Sequence, residues 1–421
     1  MILDYRNKIG PEGIYYIYSG GFAFFFTLMT AVFSIYHIDV VRLNPFQLVI
    51  IGTILESACF IFEIPTGVVA DYYSRRRSII IGLIIMGIGI FIEGYFPLFL
   101  TVALAQVIWG FGATFLSGAD IAWITDEVKG KNIDKILLKG TQVYQIFMLL
   151  GIFVSISLAT FDISLPIKIS GLLFILLGIF LYFFMPELNF QPVSKNKPGT
   201  AVKIKTRTQL FQTFTNGIKY IKGNKVLIFL FSAVILGGLY SEGFDRLWTF
   251  RFLRELSFPT ISYMNPLYWF AIIHSGGILI NLTFIEWIKR NMKDSASIGI
   301  LWLLSAINMI MASGIFIFAF AGNFYLAAAS YWLTYAMRYS HASLNDIIIN
   351  KNISDSRIRA TVFSMKAQLD QVGQIVGGPI IGLIANTWSV SIGLLSSGLI
   401  VLPIVIIYVC LTKYNPSARG A

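Results

Sequence analysis

Long apolar stretches alternate with short polar connections along almost the whole chain. Hydrophobic and polar positions do not alternate strictly, as they would in the strands of a membrane barrel. Each stretch can cross a bilayer as a helix, which needs about 20 predominantly apolar residues. The sequence therefore predicts an all-α integral membrane protein with twelve transmembrane helices. These spans cover residues 14–36, 46–70, 78–96, 98–124, 141–162, 167–185, 226–247, 267–288, 296–320, 324–349, 360–385 and 389–411.

A polar connection divides the spans into two sets of six. The predicted organisation is an N-terminal six-helix bundle (1–185), a basic linker (186–225) and a C-terminal six-helix bundle (226–421). In the second part of the linker, apolar residues recur at helical spacing between lysines, which indicates an amphipathic helix on the membrane surface. These apolar residues are Leu210, Phe211, Phe214, Ile218 and Ile221.

The basic residues predict the orientation of the chain. If the N-terminus is cytoplasmic, 25 of the 32 lysines and arginines lie in segments on the inner side. Arg42, Arg251 and Arg254 are then the basic residues outside, and four more lie within spans or at their edges. This asymmetry follows the positive-inside rule. It predicts that both termini are cytoplasmic, and it accounts for the net charge of +11 without nucleic acid.

The composition excludes several classes of protein. The chain has 421 residues, of which 56% are hydrophobic and 13% charged, against about 25% charged in soluble domains. It is therefore not a disordered chain, a disulfide scaffold or a cytosolic enzyme. Cys59 and Cys410 lie far apart in apolar stretches, and the three histidines are scattered without a zinc motif. We expect no enzymatic activity, no metal site and no cofactor.

Acidic residues inside spans are the first candidates for function, since each costs roughly 2.5–3.5 kcal/mol on insertion scales. Glu56 and Glu63 are seven residues apart in the second span, so they face the same side, about 10 Å apart along the helix. Glu93 lies in the third span and Asp120 in the fourth. A carboxyl group in a dry site can gain and lose a proton near neutral pH. These four residues are therefore candidates for coupling protons to a substrate.

Other charges within spans allow a structural interpretation as well. Glu242 and Arg246, like Lys366 and Asp370, have the spacing of ion pairs within one helix. Asp245 lies beside the first pair, toward the outer end of the seventh span.

The tenth span presents an aromatic face with an arginine. Trp332, Tyr335, Arg338 and Tyr339 share one side of the helix, and Asp346 lies further along it. An arginine in mid-span needs a carboxylate, a cavity or an anionic ligand, and aromatic rings beside it can stack on a flat ligand. We expect this face either to line a substrate cavity or to pack with Arg338 paired to a neighbouring helix.

The eleventh span contains small residues and a proline. Two G-x-x-x-G spacings follow each other closely, Gly373 with Gly377 and Gly378 with Gly382, and Pro379 lies within the second. Small residues let helices approach closely, and proline loosens the backbone. The pattern predicts a packing hinge.

The turn after the second span carries the most specific motif. Residues 63–78 read EIPTGVVADYYSRRRS, in which Gly67, Asp71, Arg75 and Arg76 are spaced as G-x-x-x-D-x-x-x-R-R. This resembles the signature of the major facilitator superfamily, in the loop where that superfamily carries it. The resemblance implies the major facilitator fold over essentially the whole chain.

Further stretches are similar to bacterial exporters of that superfamily. They are SGADIAWITD at 117–126 and RATVFS at 359–364. The extended motif, with Glu63 and Pro65 ahead of Asp71, resembles the clostridial class of tetracycline efflux proteins. That class also carries glutamates in its second and third spans. The fifth span lacks the G-x-x-x-G-P signature of many drug/proton antiporters.

The resemblance also implies a cytoplasmic latch formed by Gly67, Asp71, Arg75, Arg76 and Asp126. In the superfamily the aspartate interacts with the N-terminal end of the eleventh helix, and the arginine pairs with the acid that ends the fourth helix. These contacts close the cytoplasmic side during alternating access.

The sequence therefore predicts a secondary transporter in a bacterial plasma membrane. We expect a monomer that exports a small amphipathic compound, such as a drug or a tetracycline-like antibiotic, in exchange for protons. The proton gradient, and no cofactor, would drive it. Three alternatives stay open: a proton symporter that imports a sugar, peptide or siderophore; a sensor built on a transporter fold; and a membrane-embedded enzyme.

Overall fold

The computed structural model describes residues 9–190, 219–260, 265–291, 297–353 and 359–414. Every regular element in these ranges is a helix. The helices are α1 (Pro11–Asp39), α2 (Pro45–Tyr72), α3 (Arg75–Tyr95), α4 (Phe99–Thr114), α5 (Ala119–Glu127), α6 (Ile133–Ala159), α7 (Leu165–Phe184), α8 (Lys225–Arg254), α9 (Leu267–Asn291), α10 (Ser297–Phe320), α11 (Phe324–Lys351), α12 (Arg359–Thr387) and α13 (Val390–Tyr414).

The predicted all-helical membrane fold is confirmed. Among the described residues, 10 helical segments are long and apolar enough to cross a membrane, with α4 and α5 counted as one. The tenth and eleventh predicted spans correspond to α11 and α12, which have 28 and 29 residues. These two helices are as long as the others, but they are more polar and are not among the 10 segments.

The fourth predicted span is interrupted. The span of 98–124 is confirmed as one apolar segment, Phe99–Glu127, but it is not one continuous helix, because α4 ends at Thr114 and α5 begins at Ala119. Gly118 lies between them with φ of 68°, in the left-handed region that glycine adopts at little cost. Hydrophobicity did not reveal this break, because the intervening Phe115 and Leu116 are apolar and buried.

The chain forms two compact units. Unit 1 comprises 1–43, 54–202 and 265–271, and unit 2 comprises 44–53, 203–264 and 272–421. The first turns of α2 therefore belong to unit 2 and the rest of that helix to unit 1. The predicted amphipathic linker helix falls largely on residues 191–218, outside the described part of the chain.

Each unit packs around central helices. In unit 1, α1 lies against α6 and α7, while α3 lies against α4, α5 and α7. In unit 2, α8 lies against α12 and α13, and α10 against α11 and α13.

Glycines allow the closest of these contacts. In unit 1, Gly112 of α4 faces Gly82 and Met86 of α3, where an added Cβ would lie 2.5 Å from the Met86 nitrogen. In unit 2, Gly377 of α12 lies against the backbone of Leu239 in α8. The predicted small-residue positions in the eleventh span are therefore helix contacts within unit 2.

We expect Gly377→Ala to destabilise the protein by about 1–3 kcal/mol, because the new methyl group would overlap the Leu239 carbonyl and force α8 and α12 apart. The measurement is the midpoint of thermal unfolding of the purified full chain in detergent. Gly237→Ala in α8 is the matched control, since nothing lies within 4 Å of its Cβ position. Equal midpoints for the two variants would contradict the close contact.

Candidate functional site

Glu63 lies beside the interruption between α4 and α5. Its Oε1 accepts a hydrogen bond of 2.6 Å from the Ser117 hydroxyl, and Ser117 directly precedes Gly118. Glu63 is half-buried and Ser117 is exposed. The carboxyl group therefore has a neutral hydrogen-bond donor and remains accessible.

The helix around Glu63 is locally modified. Pro65 lies inside α2 and provides no backbone N–H for the helical ladder. The Thr66 hydroxyl donates to the carbonyls of Phe62 (2.8 Å) and Glu63 (3.2 Å). Both helices that meet at Glu63 thus depart from the regular pattern at this point.

The other carboxylates of unit 1 lie at different places. Glu56 is half-buried two turns before Glu63 on α2. Asp120 is in the first turn of α5, where its Oδ1 accepts a 2.8 Å hydrogen bond from the Ile121 nitrogen. The break therefore places Asp120 three residues beyond Ser117, at the beginning of a new helix.

Glu93 belongs to a separate, completely buried cluster. Its Oε1 lies 2.6 Å from the Nε2 atom of His37, and both side chains have 0% exposure. The Gln106 amide donates to the two carboxylate oxygens at 3.0 and 2.8 Å. The Tyr36 hydroxyl donates to the Glu93 carbonyl at 2.7 Å. The cluster joins α1, α3 and α4.

This cluster is suited to holding one proton. A Glu93–His37 pair with one proton is neutral overall, whichever residue carries it. Loss of that proton would leave a negative charge, and gain of a second would leave a positive one. Both are costly in a site without solvent. Glu93 therefore differs from Glu63, whose donor is neutral and whose surroundings are accessible.

Three ion pairs in the described part of unit 2 involve charges that the sequence singled out. Arg246 donates to Glu242 at 2.8 Å within α8. Arg338 of α11 donates through both terminal nitrogens to the two carboxylate oxygens of Asp245 in α8. Lys366 of α12 donates to Asp346 of α11.

The third pair differs from the one that the spacing suggested. Lys366 contacts Asp346 across two helices, whereas Asp370 accepts a 3.0 Å hydrogen bond from Gln374 on its own helix. The flexible lysine chain lets it reach a neighbouring helix as readily as the next turn.

The aromatic face of α11 packs in part against α9. The Trp332 indole donates to the Ile273 carbonyl at 2.8 Å, and its ring covers Gly276. Tyr335 covers Gly277. Tyr339 is 50% exposed and lies with its ring centroid 4.4 Å from that of Tyr335. Tyr339 is thus the exposed position of the predicted stripe, and Arg338 is half-buried.

The residues of the predicted latch make contacts within unit 1. Arg75 donates to the Asp126 carboxylate and, at 2.7 Å, to the Ala122 carbonyl. The Arg76 guanidinium donates to the Tyr182 carbonyl. Arg75 is therefore the arginine that reaches the acid of α5, while Asp71 is exposed.

Gly67, the glycine of the motif, is not at a close helix contact. No described atom lies within 4 Å of its Cβ position. Helix α2 instead makes its close contact with α4 near Leu55 and Ala58, which face Gly110.

The segment that follows α7 is attached to the same region. Glu187 accepts hydrogen bonds from the Ser74 hydroxyl (2.5 Å) and the Arg76 nitrogen (2.9 Å). Glu127 accepts from the Leu188 and Asn189 nitrogens at 2.8 and 2.9 Å. Glu187 was the single acidic residue of the basic linker, which was the available signal for this role.

Sequence reasoning missed several residues of these clusters. His37, Gln106 and Ser117 were not candidates, because each is a lone polar residue in an apolar context. His37 and Glu93 both lie near the C-terminal ends of their helices. In consecutive odd-numbered spans these ends share one side of the membrane, and that signal could have paired them.

No group of three or more histidine, cysteine, aspartate or glutamate side chains suited to a metal ion occurs in the part of the chain that the structure describes.

We expect Glu93→Ala to destabilise the protein by about 3–5 kcal/mol, because it would leave His37 buried without its carboxylate. The thermal unfolding midpoint in detergent measures this. Glu286→Ala is the control, since Glu286 and Arg290 form an exposed pair, with side chains 51% and 77% accessible, and such pairs contribute about 0–1 kcal/mol. A Glu93→Ala midpoint equal to that of the control would show that the cluster is not a stabilising one.

A relative of known sequence matches most of this chain. An uncharacterized MFS-type transporter, YxaM of Bacillus subtilis (strain 168), is 26% identical over 379 residues, which cover 87% of this chain and 88% of the relative.

Solved transporters share its fold. The nucleoside transporter NupG superposes with a TM-score of 0.73 at 16% identity, covering 96% of this chain and 99% of NupG. A peptide transporter, POT, in complex with alafosfalin also gives 0.73, at 12% identity, with 100% of both chains covered.

The family itself follows from the sequence match. The sequence model of the Major Facilitator Superfamily matches residues 14–349, most of the chain. That match, the helical membrane fold and the motif around Asp71 and Arg75 agree, and the chain belongs to the major facilitator superfamily of membrane transporters.

Proposed function

We propose that this transporter exports a small amphipathic compound, such as a drug or antibiotic, in exchange for protons. The observation that carries the proposal is Glu63 at the interruption between α4 and α5. Non-helical backbone at membrane depth is tolerated where it lines a cavity or is buried in protein. Discontinuous helices often contribute to ion and substrate sites in transporters. A half-buried carboxyl group with a neutral donor can change its protonation there without breaking an ion pair.

The remaining acidic residues have graded roles in this proposal. Glu56 shares the face of Glu63 on α2 and assists it, while Asp120 lies in the first turn of α5 and accepts a hydrogen bond from the Ile121 nitrogen. Glu93 maintains the contact of α1 with α3 and α4. Protons are therefore exchanged mainly at Glu63.

The proton gradient is sufficient for such exchange. A difference of one pH unit supplies about 1.36 kcal/mol per proton. A membrane potential of about 100 mV adds about 2.3 kcal/mol for each charge moved. The binding site would be open to one side of the membrane at a time. The entry of protons would therefore be coupled to the export of the compound.

Proton-coupled import is the second candidate, and the accessible Asp245–Arg338 pair favours it. A proton on Asp245 would release Arg338 to bind an anion, so proton and substrate would bind together. Such linkage is the thermodynamic basis of symport.

We expect inside-out vesicles containing the protein to lose part of their pH gradient when a transported compound is added, as reported by an acridine dye. A panel of tetracyclines and macrolides is the probe. Glu63→Gln should reduce the signal to that of vesicles without the protein, and Glu63→Asp should retain it. Glu286→Gln is the exposed control.

Two results would contradict this proposal. Unchanged exchange in both Glu63→Gln and Glu56→Gln would remove the assignment of these carboxylates. Accumulation of the compound in right-side-out vesicles, driven by an inward proton gradient, would establish import instead.

The orientation in a bacterial plasma membrane has its own test. In a chain carrying Cys59→Ser and Cys410→Ser, we expect Asp162→Cys to react with an impermeant maleimide in intact cells. Lys131→Cys should react only after permeabilisation. Both positions are exposed in turns between helices. Labelling of Lys131→Cys in intact cells would reverse the predicted topology.

A further inference from the structure

The ion pairs of unit 2 differ in how far they are buried. In the Glu242–Arg246 pair, the side chains are 4% and 13% accessible. A Cβ on Gly52 or Gly378 would meet the Glu242 side chain, so the backbone encloses this pair. The Asp245–Arg338 pair is 40% and 28% accessible. One pair is therefore a packed structural contact, and the other is open to a ligand.

Arg251 of α8 is an example of a structural guanidinium in this unit. Arg251 is 7% accessible and donates to the carbonyls of Phe318 and Ala321, to Ser391 and to Glu255. These bonds hold it between the ends of three helices. Arg338, by contrast, donates both of its terminal nitrogens to the Asp245 carboxylate.

The geometry of Arg338 selects a planar acceptor. Its two terminal nitrogens each donate to one oxygen of the same carboxylate, which is the two-pronged arrangement that guanidinium forms with carboxylates. An external carboxylate of the same shape can occupy the same two donors. Lys366, in the other accessible pair, is a compact point charge and imposes no such geometry.

Aromatic rings lie next to Arg338 on the same helix. Tyr339 follows it directly, is half-exposed, and packs at 4.4 Å from Tyr335 with an angle of 39° between the rings. Tyr335 is held in turn against Gly277 and lies 6.1 Å from Tyr331. A flat apolar group bound at Arg338 therefore has a preformed aromatic surface beside it.

We propose that Arg338 binds an organic carboxylate with a flat apolar body, which takes the place of Asp245 on the guanidinium and stacks on Tyr339. The inference rests on the proposed transport function but not on the direction of transport. It names the charge and shape of the substrate.

Exchange of carboxylates makes this site reversible. When the substrate replaces Asp245, Arg338 keeps two charge-assisted hydrogen bonds, so the guanidinium is not left without a partner. Asp245 is accessible enough to be solvated once it is released. When the substrate leaves, Asp245 returns and restores the neutral pair. The cycle thus avoids a lone guanidinium within the membrane.

The test measures binding to the purified full chain in detergent by titration calorimetry. Naphthaleneacetate, naphthaleneacetamide and naphthylethylamine share a flat ring and carry a negative, neutral and positive group. We expect naphthaleneacetate to bind at least about tenfold more tightly than the amide, the effect of a charge-assisted hydrogen-bonded pair. Arg338→Gln and Arg338→Lys should abolish this preference, and Asp245→Asn should increase naphthaleneacetate affinity by removing its competitor.

Arg290→Gln is the matched control, since it removes a guanidinium from an exposed pair of the same unit. Equal binding of acid and amide to the wild-type chain would overturn the proposal. So would tighter binding of the amine, or an Asp245→Asn variant that folds with an unchanged preference. Because binding is measured without a gradient, these outcomes are independent of the vesicle experiment: a preserved acid preference with no proton exchange would reject the proposed antiport alone.

Discussion

A charged side chain among membrane-spanning helices needs an opposite charge, a hydrogen-bond donor or water, and this requirement organises both units. In unit 1 the buried Glu93 lies 2.6 Å from His37 and accepts hydrogen bonds from Gln106. In unit 2 Glu242 and Arg246 form an ion pair that packs against Gly52. Both groups are enclosed: the first joins three helices, and the second is an ion pair within α8. The Glu63 carboxyl group has only a neutral hydrogen-bond donor, and the Arg338 ion pair is accessible. Such groups can change their partner, and a transporter needs such a change.

The backbone obeys a related constraint. Its polar groups must be satisfied within the bilayer, so the chain is helical and departs from helix at few positions. One of these lies between α4 and α5, where Gly118 adopts a positive φ. Another is Pro65, where Thr66 hydrogen-bonds to nearby carbonyls. Both are close to Glu63, so two departures from regular helix adjoin this carboxyl group.

The two units thereby suggest a division of work in the proposed mechanism. Unit 1 contributes a carboxyl group that can exchange a proton, together with the Arg75–Asp126 contact of the latch. Unit 2 contributes a guanidinium beside aromatic rings, with a carboxylate that can be displaced. Proton and substrate would then act on different helices, and substrate binding would leave the guanidinium partnered.

The sequence by itself determined the class of fold and the family. Helix-length apolar runs specify the membrane helices because the bilayer sets their length, and the spacing of Gly67, Asp71 and Arg75 is a local pattern that survives without a structure. It also indicated Glu63 and Arg338, since a charge within an apolar run is conspicuous.

The partners of these charges were decided by tertiary structure alone. In four of these contacts the two residues come from different parts of the chain, and no local spacing relates them. The contacts are His37 with Glu93, Ser117 with Glu63, Asp245 with Arg338 and Asp346 with Lys366. The break at Gly118 was hidden because its neighbours are apolar. Which charges are enclosed and which are accessible depends on how helices pack around them, and that depends on contacts between residues far apart in the chain.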